Sequence, residues 1–280
     1  MANPANNPLF KHFRQPSIYL RLPSRGSFYP DDAIDFPAIG EIPIYPMTVK
    51  DELTLKTPDA LLNGQGMVDV VASCCPNIKN PWLIPAIDVD SLFIAIRLAS
   101  YGEGMDISTK CPHCGTSNEH TVDLRALLDN VKYADYSKTY TIDNLSFKFK
   151  PQTYADINKT NIITFEEQRL INSILTNDQL TDEDKAARFK ESFAKLNEMN
   201  INAVLASIDS ITTEDGIIVT NEKQIVEFLE NCSREAYAAV KTAIQELVEM
   251  NKPDPISVEC DECHKPYTSQ LIFDQSNFFG

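Results

Sequence analysis

Two short stretches, "CPHC" at Cys111–Cys114 and "CDEC" at Cys260–Cys263, each place two cysteines around two residues, and 145 residues separate Cys114 from Cys260. One such knuckle supplies two thiolates, and a structural tetrahedral zinc takes four with no open position. Cys111, Cys114, Cys260 and Cys263 therefore read as one metal site assembled from both pairs. Each pair is flanked by sequence that alternates as strand: "EHTVDL" after the first, "PISVEC" before the second and "YTSQLIFD" after it. That is the pattern of a zinc ribbon. A compact ribbon spaces its knuckles by roughly 15–20 residues, so this ribbon is split, and a large insertion grows out of it. A metal that closes so long an interval removes chain entropy, and its binding energy is folding energy.

Three other readings of these residues compete with that one. His113 or His264 is an alternative ligand in place of one cysteine. A catalytic zinc would need an open position and a carboxylate base; Glu262 lies inside the second knuckle, but four cysteines leave no vacancy. A dithiol redox role calls for a βαβ context that neither pair has. Seven cysteines, an odd number with Cys74 and Cys75 adjacent, do not suit a secreted disulfide framework and fit a reducing cytosol. Cys74 and Cys75 read as small core side chains at the end of a helix.

Eight of the seventeen prolines fall at or before Pro46, which predicts an extended arm over residues 1–46. The arm is too apolar to stay wet. Tyr19, Leu20, Leu22, Arg25, Phe28 and Tyr29, in "SIYLRLPSRGSFYP", are the expected partner-binding residues, with a turn at Gly26. Residues 1–30 carry Lys11, Arg14, Arg21 and Arg25 and no acid, so the remainder of a chain of net charge −15 carries −19. Such an arm suits an acidic protein surface, the chain's own or a neighbour's, or else is a solvated tail.

Beyond the arm, Thr48 and Asp51 form a capping-box-like helix start. A helix is expected from near Gly66 to Pro76. A second, over "DVDSLFIAIRLASYG", is expected to be capped by Asp88 or Asp90 and stopped by Gly102 or Gly104. Leu92, Ile96 and Ala99 are expected to line one face of it, with Phe93 and Ile94 beside them. "KTYTIDNLSFKFKP" is a hairpin turning at Asp143-Asn144. Residues 155–250 read as mainly helical: one helix capped at Thr181 with apolar Ala186, Phe189, Phe193 and Leu196, a short strand at "GIIVT", and a longest helix whose stripe runs from Ile225 through Leu229, Cys232, Ala236, Val240 and Ala243 to Leu247. The fold class is therefore α+β: a mixed body over 47–154 and 251–280 around a split four-cysteine zinc ribbon, a mainly helical insertion over 155–250, and the arm.

No P-loop, HExxH or GxSxG occurs, and no apolar run approaches the length of a membrane span. Neither a secretion signal nor an enzyme active site is legible. The acidic charge opposes nucleic-acid binding.

Taken in order, "LPSRGSFYP", "GEIPIYPMTVKDELTLKTPDALLNGQGMVDVVASCCPNI", "DVDSLFIAIRLASYGEGMDISTKCPHCG" and the late "ECDEC" resemble the baseplate hub subunit or hub-assembly family of contractile-tailed, T-even-like bacteriophages. The resemblance covers about the first 130 residues and the final knuckle; the helical middle corresponds by position only. It implies a non-enzymatic virion or tail-assembly protein made in the bacterial cytoplasm, with other tail and baseplate proteins as partners and neither nucleic acid nor membrane. Two roles are compatible with it: a structural subunit in the hub region of the tail baseplate, and an assembly chaperone absent from the finished particle. Other phage tail families carry zinc or iron–sulfur sites, so an iron–sulfur cluster is the alternative to structural zinc.

Overall fold

The computed structural model describes residues 7–57, 63–132, 134–177, 180–271 and 278; the part of "YTSQLIFD" beyond Leu271 lies outside them. The chain divides into two compact units, one of Met1–Pro81, Asp88–Val131 and Pro253–Gly280, the other of Trp82–Ile87 and Lys132–Lys252.

In the first unit, β1 (Ile18–Leu20) pairs antiparallel with β2 (Ile42–Ile44), Ile18 opposite Ile44. Residues 7–46 hold no α-helix, only these two strands, a short 3-10 turn at Phe10–His12 and turns between them, and Ile18, Leu20, Leu22, Ile42 and Ile44 are buried. Helix α1 (Val49–Leu55) opens on the expected capping box: the Thr48 hydroxyl accepts from the Asp51 amide, and the Asp51 carboxylate accepts from the Thr48 amide at 2.7 Å. It packs against α2 (Gln65–Cys74). Helix α3 (Ala86–Tyr101) begins ahead of either expected cap, so Asp88 lies in its first turn rather than capping it. Six consecutive residues, Ser91 to Ile96, are buried. A helix buried on every side has no polar face, which is why its apolar residues do not resolve into one stripe. Gly102, at φ 91°, ends it.

The chain then forms the hairpin of β3 (Gly104–Lys110) and β4 (Ser117–Asp123), with Gly104 opposite Asp123 and Lys110 opposite Ser117. Asp123 caps the short α4 (Leu124–Asp129). The unit closes with a second hairpin, β9 (Ile256–Glu259) and β10 (Pro266–Ser269), in which Glu259 opposes Pro266.

The second unit is built on a four-stranded antiparallel sheet in the order β5 (Thr139–Ile142), β6 (Leu145–Phe149), β7 (Ile208–Thr212), β8 (Ile218–Val219). Asp143 and Asn144 both take positive φ, 47° and 62°, the two-residue turn expected of that pair. Strand β7, unread in the sequence, joins the hairpin to β8. Two long helices, α5 (Tyr154–Thr176) and α6 (Asp182–Ala206), pack on one another. Thr181 caps α6 as expected, but Phe193 is exposed and the helix buries only Ser192 and Val204; between the two helices Lys195 Nζ reaches Glu167 Oε1 at 3.2 Å.

The stripe from Ile225 to Leu247 is not one helix. It is α7 (Glu222–Asn231) and α8 (Arg234–Met250), broken at Cys232, with Ser233 accepting from the Ala236 amide at 3.0 Å as the new cap. Both halves still bury their apolar faces, with Phe147, Phe149, Ile208 and Ile211 in the same core, so periodicity alone hides the break. The 25-residue α6 is the longer element.

Candidate metal centre

The turns of β3–β4 and β9–β10 are built alike. In the first, the Cys111 amide donates to the Thr116 carbonyl at 2.9 Å and the Gly115 amide to the Cys111 carbonyl at 2.9 Å. In the second, the Cys260 amide donates to the Lys265 carbonyl at 3.1 Å and the His264 amide to the Cys260 carbonyl at 2.9 Å. The residue after the second cysteine is left-handed in both, Gly115 at φ 79° and His264 at φ 54°. Glycine adopts this conformation freely, histidine at a cost. Each knuckle thus turns its two sulfurs to one side of its hairpin.

Across the hairpins the four sulfurs converge. All lie within 4.8 Å of one another; Cys111 Sγ is 3.8 Å from Cys263 Sγ, and Cys114 Sγ is 3.5 Å from Cys260 Sγ. A tetrahedral zinc with Zn–S bonds of ~2.3 Å sets its sulfurs ~3.8 Å apart, so this donor set fits one mononuclear ion. Cys111 and Cys260 are buried, Cys263 half-buried and Cys114 exposed. His113 and His264 are exposed and outside the converging set, and His264 Nδ1 instead lies 3.7 Å from Glu259 Oε1.

The electrostatics are those of a site that wants a cation. Hydrogen bonds from the Thr116 hydroxyl and amide draw Cys114 down to about 6. The Cys263 amide, aided by that of Glu262, holds Cys260 below the usual thiol range. At Cys263 the Lys265 amide favours the thiolate, but burial and the three neighbouring sulfurs outweigh it and push the group up to about 12. The first charges form easily and the last is opposed by those already there. A divalent ion removes that opposition.

A polar network ties the hairpins together beneath the sulfurs. Asn118, almost wholly buried, donates through Nδ2 to the Tyr267 hydroxyl at 3.2 Å and to the Thr116 carbonyl at 3.1 Å, and its Oδ1 accepts from the Asp261 amide at 2.9 Å. The Tyr267 hydroxyl also bonds Thr109 Oγ1 at 2.7 Å, and its ring packs with Cys111 and Cys260. None of these residues carries a spacing signal, and sequence reasoning missed them.

The expected partner-binding residues separate into two groups. Leu20 and Leu22 are 4% and 0% exposed, and the Tyr29 hydroxyl donates to the buried Asp88 carboxylate at 3.0 Å, so these serve the unit's own packing. Tyr19 and Phe28 are 59% and 43% exposed, and Arg25 is exposed. Arg14, one of the arm's four cations, is tied down locally: its guanidinium donates to the Pro46 carbonyl and to the Ser73 carbonyl and hydroxyl, and meets Asp51 Oδ2 at 3.4 Å. Burial pushes Cys74 up to about 11 and raises Cys75 as well, as expected of inert core thiols.

Among the described residues no helix is long and apolar enough to cross a membrane. A family model described as "T4 bacteriophage base plate protein" matches residues 17–280. Neither the curated proteins nor the solved structures contain a significant match to this chain.

Proposed function

The chain belongs to the T4 bacteriophage base plate protein family, and from that premise we propose that it is a structural subunit of the hub region, clasped by one zinc and joined to neighbouring tail proteins through its N-terminal segment. The family makes it a structural component of the virion's tail base plate, assembled in the host cell, with other phage tail proteins as its partners. The hub position, the zinc and the contact residues are the finer reading.

The observation that carries the metal is the convergence of Cys111, Cys114, Cys260 and Cys263 within 4.8 Å. The spacing favours one zinc over an iron–sulfur cluster, because a cluster places several metal and sulfide ions between its cysteines and would hold them further apart. All four ligands are thiolates, so the ion has no position for substrate or water, and its role is structural. The metal would fasten Cys111–Cys114 to a hairpin that follows the whole of the second unit in sequence. For contact with neighbours, Tyr19, Arg25 and Phe28 are the exposed part of the N-terminal set.

The test is metal analysis of purified protein together with mass spectrometry of finished particles and of base-plate subassemblies. One zinc per chain and co-purification with the hub subassembly are expected. Iron with sulfide would replace the zinc assignment. Recovery only with peripheral subassemblies would overturn the hub placement, and absence from finished particles would make the protein an assembly chaperone.

A further inference from the structure

Between α6, α7 and α8 the second unit has an open groove of about 580 Å³, within the size range of small-ligand and peptide-side-chain sites. Ile201 and Leu229 supply its apolar floor, and two cations, Arg234 and Lys241, stand on its wall. Among the described residues neither cation makes an ion pair or a side-chain hydrogen bond. In a chain with 40 acids and 25 bases, a groove whose lining holds two cations and only one carboxylate, Glu230, with no ion pair among them, is locally cationic. The cap at Ser233 starts the 17-residue α8 beside them, adding the positive end of a helix and first-turn amides that have no partner within the helix.

We propose that this groove binds a peptide segment of a partner protein that presents one carboxylate beside an apolar side chain. The lining fixes the charge: Arg234 and Lys241 against Glu230 leave a net +1, which one carboxylate balances and a polyanion over-fills. Arg234 presents the planar fork that a carboxylate accepts in two bonds. The Tyr237 hydroxyl has no hydrogen-bond partner among the described residues and is available to the same oxygens. Asn197 and Asn200 on the α6 side offer donors and acceptors to the peptide backbone. The apolar floor then takes the neighbouring side chain. This inference stands on the second unit alone and does not depend on the hub placement or the metal.

The probes are N-acetyl-Leu-Asp-Leu-amide and its Asn counterpart, titrated into the full-length protein and followed by the backbone amide signals of Arg234, Tyr237 and Lys241. The Asp peptide should shift them saturably, the Asn peptide should bind about tenfold more weakly, as expected for loss of one charge-assisted contact, and added salt should weaken the Asp peptide only. Arg234→Gln with Lys241→Gln should abolish the difference between the peptides. Arg234→Gln alone, at an exposed position, should reduce it while unchanged α8 signals report an intact fold. Absence of saturable shifts, equal binding of the two peptides, or a preference that survives in the double variant would overturn the proposal. Saturation of the same signals by inorganic phosphate at lower concentration than by the Asp peptide would overturn the carboxylate assignment.

Discussion

Asn118→Ala isolates the organic part of the clasp from the metal. The substitution deletes three hydrogen bonds, to Tyr267, Thr116 and Asp261, two of which cross between the hairpins. At about 1 kcal/mol net for each, and with the Asp261 amide left without its acceptor, the loss is about 3–4 kcal/mol. If those bonds hold the knuckles in register before the ion arrives, about 2 kcal/mol of it appears in metal binding, which is roughly a 30-fold weaker affinity. The assay is competition for zinc against a chromophoric chelator near neutral pH, with thermal unfolding at saturating zinc measured in parallel. Thr121→Ala is the control: its hydroxyl donates to Asp106 at 2.6 Å on the exposed face at the far end of the same hairpin, and its loss should leave affinity unchanged. An Asn118→Ala protein that binds zinc within about twofold of the parent would refute the reasoning, because the ion alone would then organise the two hairpins.

Cys260→Ser leaves three thiolates. If four ligands share the ~10–16 kcal/mol of a structural site, zinc affinity falls on the order of 100-fold, and at saturating zinc the variant should melt between the parent and the chelated parent. His264→Gly should keep one zinc per chain and full affinity, since the imidazole is outside the ligand set. Stability should stay within about 1 kcal/mol, because relief of the left-handed backbone at φ 54° offsets the added freedom of glycine; loss of metal would restore histidine as a ligand. Asp88 is held at about 6 by burial against an ordinary 3.8, despite bonds from Ser24 and Tyr29. A raised acid binds its proton more tightly when folded, so its favourable contribution is present below about pH 4 and lost as the pH climbs through 6, at a cost on the order of 3 kcal/mol. Asp88→Asn should flatten that part of the stability–pH curve; an unchanged slope between about pH 4 and 6 would refute the assignment.

The parts of this fold that were legible in the sequence are those written at short range. The ligands in each knuckle, like the Thr48–Asp51 box and the Thr181 cap with Asp184, are three positions apart, and Asp143-Asn144 declares its own turn. What was not legible depends on partners distant in the chain. Asn118 meets Tyr267 across 149 residues, and nothing local marks either one. Strand β7 owes its conformation to β6 and β8 on its two sides. The break before Ser233 escapes notice because the buried positions of α7 and α8 continue the same spacing through it. Asp88 reads as a cap by residue type, yet the helix already runs past it, and it became instead the acceptor for the Ser24–Tyr29 segment. Leu20 and Leu22 read as surface for a neighbour because a proline-rich arm has no periodicity to say which side it buries.

The order of the ligands along the chain has a consequence for synthesis. Cys260 follows Cys114 by 146 residues, and at about 5–20 residues per second the ribosome needs about 7–30 s to deliver it. Throughout that interval the first hairpin carries a two-sulfur half-site that cannot retain zinc as the finished centre does. All of the second unit except Trp82–Ile87 is translated within this window. If the four cysteines hold an ion, its capture is therefore one of the last folding events, and a chain released before Cys260 lacks the complete site.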